Sequence, residues 1–186
     1  MPNWCYNSLV VEGESDALNH FKEKAKGKGW QGDCPNELDF NQFVPMPQET
    51  IDEGYSDCGY DWEIENWGVK WGACEVCFEE LGDEIQYAFE TAWTAPTPMM
   101  EKWSSQYPML TFSLSYEEPG QGFYGSIMCF DGEIMSEECH DMTTEVLHEN
   151  GYHDDPEEHP ECEECSKYFE AFTMDKIKKQ IDQDYE

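Results

Sequence analysis

Arginine is absent from this 186-residue chain; its ten basic residues are all lysines, set against 42 acidic ones. Arginine is the usual side chain for a two-pronged grip on phosphate or carboxylate, so that mode of anion recognition is excluded. A formal net charge of −32 repels polyanions and rules against direct binding of nucleic acid through charge. The same field opposes anionic membranes. No apolar run approaches the roughly 18 residues that a bilayer span requires, so no membrane segment is expected. The N-terminal residues Met1-Pro2-Asn3-Trp4-Cys5-Tyr6-Asn7 hold no basic region followed by an apolar stretch, so no secretory signal is expected either. Enzyme signatures are missing as well: there is no glycine-rich phosphate loop, no Gly-x-Ser-x-Gly elbow and no His-Glu-x-x-His. Carboxylate pairs are so frequent that none singles itself out for acid–base work, and the expectation is a protein that is not an enzyme.

What is present describes a folded, cytoplasmic protein. Hydrophobic content of 39%, with 15% aromatics, is enough to build a core despite the charge. Nine cysteines, an odd number without a secretory context, predict thiols or metal ligands rather than a disulfide framework.

Periodicity predicts the order strand, helix, strand, strand, helix, strand. Residues 4–12 suit a first strand. Ser15-Asp16 read as the cap of a first helix with Leu18, Phe21 and Ala25 on its apolar face and Lys22, Lys24, Lys26 and Lys28 on its polar one. Residues 30–72, rich in proline, glycine and aromatics, form an ordered excursion. Residues 73–81 and 84–93 read as strands joined by a Gly82-Asp83 turn. A helix opened by Thr94-Ala95-Pro96-Thr97-Pro98 carries Met99, Met100 and Trp103, and Leu110, Phe112 and Leu114 alternate on a further strand. That order is the split βαβ, or ferredoxin-like, arrangement. The expected fold is therefore α+β, with a ferredoxin-like βαββαβ core over 1–130, the 30–72 insertion after the first helix, and an extra strand over 123–130. The Asp131-Gly132 turn and a short partner should follow, leading into an acidic, mainly helical extension over 131–186 with one helix over 142–149. Between Asp131 and Cys165 lie fourteen acidic residues and no lysine.

Five segments are recognisable together: Met1 through Gly13; Phe43-Val44-Pro45-Met46-Pro47; Asn66-Trp67-Gly68-Val69-Lys70-Trp71; Phe89 through Pro98; and Phe112 through Gly125. In these the chain resembles the Api-ninety-two-like (plasmid YubB-like) family of phage and plasmid proteins. The resemblance covers roughly residues 1–130 and implies a ferredoxin-like domain and a mobile-element origin, but no particular reaction. Gly68-Val69-Lys70-Trp71-Gly72 stands where the family usually has Gly-Thr-Lys-Trp-Asp, which puts in doubt any polar role of those positions. The acidic tail is not part of the common pattern.

Three constellations could carry chemistry. His159-x2-Cys162-x2-Cys165, with Cys139 upstream, has the spacing of a structural zinc site; the competing reading places Cys162, Cys165, Phe169 and Phe172 on one buried helical stripe. Cys74-x2-Cys77 falls on a strand, where the two thiols should point to opposite faces and share nothing. Tyr55, Tyr60, Trp62, Trp67 and Trp71 could form a binding platform, but interleaved acids favour a satellite core beneath a loop. The acidity itself suggests the function: a phage- or plasmid-encoded inhibitor that imitates nucleic acid and occupies a basic surface on a host protein, as in anti-CRISPR or anti-restriction defence. Its expected contacts are Glu137, Glu138, Asp141, Asp154, Asp155, Glu157, Glu158, Glu161, Glu163 and Glu164. The alternatives are a zinc-stabilised interaction module and a thiol or metal enzyme of nucleotide metabolism using Cys139.

Overall fold

The structure, a computed structural model, describes residues 2–29 and 35–142. Six strands form one antiparallel sheet: β1 (Trp4–Gly13), β2 (Lys70–Leu81), β3 (Glu84–Ala92), β4 (Leu110–Glu118), β5 (Phe123–Phe130) and β6 (Glu133–Asp141). Their spatial order is β2-β3-β1-β4-β5-β6. The first four give the ferredoxin-like sheet, with β1 between β3 and β4. Strands β5 and β6 extend it by two consecutive hairpins. The expected partner of β5 is thus a full strand of nine residues, and the sheet runs past residue 130 to Asp141.

Alternation divides the sheet into two faces. Leu9, Val11, Ile85, Tyr87, Phe89, Phe112, Leu114 and Ile127 point to one side and are buried. Covering them are α1 (Ser15–Ala25) and α4 (Thr97–Gln106), which contribute Leu18, Phe21, Met99, Met100 and Trp103. Phe21 lies at the centre, its ring 5.0 Å from Phe43, 5.2 Å from Tyr107 and 5.3 Å from Phe112. Each such pair adds about 0.5–1.5 kcal/mol beyond the area it buries. Helix α1 begins at Ser15, the residue expected to cap it, so its cap falls one residue earlier. Glu14 occupies the N-cap without a side-chain bond, and Asp16 instead supplies negative charge within the first turn.

The excursion between α1 and β2 is ordered where it is described. A 3-10 turn at Phe40–Gln42 is followed by α2 (Gln48–Glu53), a π turn at Tyr55–Gly59 and α3 (Tyr60–Trp67). Leu38, Phe40 and Phe43 are buried in the main core. Helix α3 stops at Gly68, whose φ of +78° needs glycine, and a Cβ there would meet the Pro98 ring at 2.4 Å. No helix among the described residues is long and apolar enough to cross a membrane.

One expectation about β2 is overturned. Cys74 pairs with Glu90 and Cys77 with Ala88, so Glu75 and Val76 on β2 oppose Phe89 alone on β3. A β-bulge absorbs the extra residue at Glu75, which has φ +47°. Cys74 and Cys77 therefore lie on the same face of the sheet, the one that none of the described helices covers.

Candidate functional site

The sheet face opposite the described helices carries an ordered array of side chains. Strand register aligns side chains from sequence-distant positions into rows across five strands. One row reads Ala88, Ser8, Ser115, Ser126, Glu138 from β3 to β6. The row beside it reads Glu90, Tyr6, Glu117, Tyr124, His140. Short side chains in the first row and long ones in the second leave a trough of about 630 Å³, lined by both rows from Ala88 to His140. That volume is within the usual range for sites that take one ligand or one inserted side chain, roughly 300–1,000 Å³.

The walls of this groove are aromatic and anionic. Tyr124 and His140 are cross-strand neighbours with ring centroids 5.3 Å apart. His140 Nε2 lies 3.6 Å from a Glu138 carboxylate oxygen. Glu117 is buried in the floor with only 8% of its surface exposed. Burial, then the charges of Glu90, Glu117 and Glu118, push the Tyr6 phenol up from its ordinary value. Glu90 is also pushed up, first by burial and then by Glu75. Among the described residues no lysine lines the groove.

Of the residues expected to bind a partner, Glu137, Glu138 and Asp141 lie on β6, all exposed. They divide between the faces: Glu138 pairs with Ser126 at the groove, whereas Glu137 and Asp141 pair with Ile127 and Phe123 on the other side. Asp154, Asp155, Glu157, Glu158, Glu161, Glu163 and Glu164 lie outside the described residues, as do His159, Cys162, Cys165 and the helix expected over 142–149. The zinc arrangement is thus represented by Cys139 alone, which packs over Gly125 against the Tyr116 hydroxyl. A Cβ at Gly125 would sit 2.5 Å from that hydroxyl, so glycine is required for the ring to cross the strand. Cys139 and His140 project to opposite faces, which separates them as a thiol–imidazole dyad. Among the described residues no group of three or more His, Cys, Asp or Glu side chains could hold a metal ion.

The aromatic block of the excursion divides. Trp67 is buried and donates from Nε1 to the Val44 carbonyl at 3.0 Å, and Trp62 packs against the core. Tyr55 and Trp71, with one side of Trp67, line a second cavity of about 380 Å³ over Phe40, Met46 and Glu63. One oxygen of Glu63 accepts the Tyr55 hydroxyl and the Trp71 backbone N–H, both at 2.9 Å. Burial nevertheless pushes this carboxyl up from 4.5, against those two bonds and the Lys70 charge. The Lys70 ammonium rests 3.8 Å from the Trp71 ring centroid and 5.4 Å from that of Trp93. At the departures from the family pattern, Val69 is fully buried and Gly72 takes φ +76° against the Phe40 ring.

The recognisable segments are therefore neighbours. Asn7 donates to Thr91 Oγ1 at 2.8 Å and to the Cys5 carbonyl at 2.9 Å, joining the first segment to the fourth. Trp67 joins the third to the second, and Trp4 meets Trp71 at 6.5 Å. Sheet order, covering helices and these contacts define a ferredoxin-like α+β protein. A family profile described as "Ferredoxin-like domain in Api92-like protein" matches residues 66–162, and the chain belongs to that family. The match ends at Cys162, so most of the acid-only stretch lies inside the family's domain, correcting the expectation that it lies beyond. The crystal structure of a protein api92 from Yersinia pseudotuberculosis is similar with a TM-score of 0.63 over 74% of this chain and 98% of that one. At 9% identity that likeness concerns the fold alone. No curated protein matches the sequence.

Proposed function

We propose that this protein is an acidic inhibitor, carried by a phage or plasmid, that occupies the basic nucleic-acid-binding surface of a host protein. The observation that carries the reading is β6. It is an edge strand with all nine residues exposed, bearing Glu133, Glu137, Glu138 and Asp141 and no basic residue but His140. Carboxylates held on a strand are fixed in spacing, as phosphates are, and a net charge of −32 steers them toward lysine- and arginine-rich clefts. A ferredoxin-like sheet with tyrosines on its open face would otherwise suit base stacking. The carboxylates of Glu117 and Glu138 beside Tyr6 and Tyr124 count against that, because a phosphodiester laid there would meet negative charge at every step.

Affinity purification with the full chain from a plasmid-bearing or infected cell tests the proposal. The expected partner is a nucleic-acid-binding protein that DNA or RNA displaces, with affinity that falls steeply between 50 and 500 mM salt. A partner that binds the chain and its nucleic acid simultaneously would overturn the reading.

A further inference from the structure

We infer that the groove on the open sheet face is a receptor for an arginine side chain in a basic segment of the partner. This rests on the proposed function and adds to it a site and a side-chain chemistry. The argument is complementarity of charge and shape. A guanidinium is flat, stacks on aromatic rings and forks onto a carboxylate, so its best receptor alternates rings with carboxylates at close spacing. Tyr6, Glu117 and Tyr124 supply that alternation on three adjacent strands, about 4.8 Å apart. Glu138 closes the end of the trough beside His140. The shallow floor of Ser8, Ser115 and Ser126 leaves room for the aliphatic stem of the incoming residue. Glu117, between the Tyr6 and Tyr124 strands, is the carboxylate that a guanidinium stacked on those rings would meet.

The test uses the full chain and a fluorescein-labelled seven-residue peptide alternating arginine and serine, with lysine and citrulline versions, read by anisotropy in 50 mM salt. The arginine peptide should bind at least threefold more tightly than the lysine one, and the citrulline peptide should not bind. E117Q, E138Q and Tyr124→Leu should each weaken the arginine peptide at least tenfold. E137Q, which removes the same charge from the opposite face of β6, should change it less than twofold. E138Q lies on the exposed rim and keeps the test valid if replacing buried Glu117 disturbs folding. If all the acidic variants weaken binding equally, attraction is general, and the groove assignment fails while the acidic-inhibitor reading stands. If no arginine peptide binds at all, both fail. Binding that strengthens more than tenfold on replacing Lys176, Lys178 and Lys179 by glutamine would assign the groove to the chain's own C-terminal residues and overturn the proposal. Binding that weakens as protein concentration rises would assign it to a second copy, with the same consequence.

Discussion

Glu63 shows how a single residue can serve the fold and burden it at once. Its carboxylate ties the excursion to the start of β2 through Tyr55 and Trp71, yet burial holds its pKa above 4.5. A folded-state value above the unfolded one means that the native protein binds the extra proton. The associated stability is complete below pH 4.5 and is lost as pH rises through the folded value. Glu63→Gln imitates the protonated form and keeps an oxygen to accept both bonds. The variant should melt above the wild type at pH 7, and the difference should close by pH 4.5. A wild type that is the more stable at pH 7 would show that Tyr55, Trp71 and the Lys70 charge outweigh burial. The acid was visible in the sequence, but only as one of several among aromatics. Its burial depends on a chain path through α3 that local pattern does not determine.

At the scale of elements, the alternating strands were legible because one face is buried: Ile85, Tyr87 and Phe89 could only point inward together. So were the turns at Gly82-Asp83 and Asp131-Gly132, where Gly82 in the first and both residues of the second supply the positive φ that a tight hairpin needs. The placement of Cys74 and Cys77 was not legible, because a bulge adds one residue to a period of two and reverses the face. The length of β6 was hidden for a different reason. With all nine residues exposed it has no apolar alternation to announce it, and it exists by pairing with β5. The groove was invisible too, since Tyr6, Glu117, Tyr124 and His140 become neighbours only through register. Among the described residues no strand pairs with the outer edge of β6, and an edge that carries Ile134 and Met135, 42% and 60% exposed, invites another strand to add to it. Its acids deter that by repulsion between copies. Replacing Glu133, Glu137 and Glu138 together by valine should increase self-association in sedimentation velocity relative to the wild type. An unchanged sedimentation profile up to about 100 μM would mean that the edge is guarded by something other than charge.

For the whole molecule, repulsion and burial push in the same direction. Among the described residues the lysine–carboxylate ion pairs are Lys22 with Glu80 and Lys26 with Glu23, a small offset to a net charge of −32. Glu63, Glu90 and Glu118 are all pushed up, burial being the first cause in each. Above pH 4.5 the folded state therefore binds more protons than the unfolded one at these positions, and stability must fall as pH rises. Glu23, held low by Lys26, opposes this trend, but it is fully exposed and its pair is screened by solvent. The melting temperature should thus climb as pH is lowered from 8 to 5.5, unlike that of a protein stabilised mainly by paired carboxylates. Salt separates the two causes. At 0.5 M the Debye length shrinks to about 4 Å, which removes most surface repulsion and leaves the cost of burying a carboxylate nearly intact. Sodium chloride should therefore raise the melting temperature at pH 8 more than at pH 5.5, and the pH slope should flatten without vanishing. A slope that salt abolishes would assign the whole effect to surface charge and leave Glu63, Glu90 and Glu118 no part in it; a slope that salt leaves unaltered would assign it to those carboxyls alone.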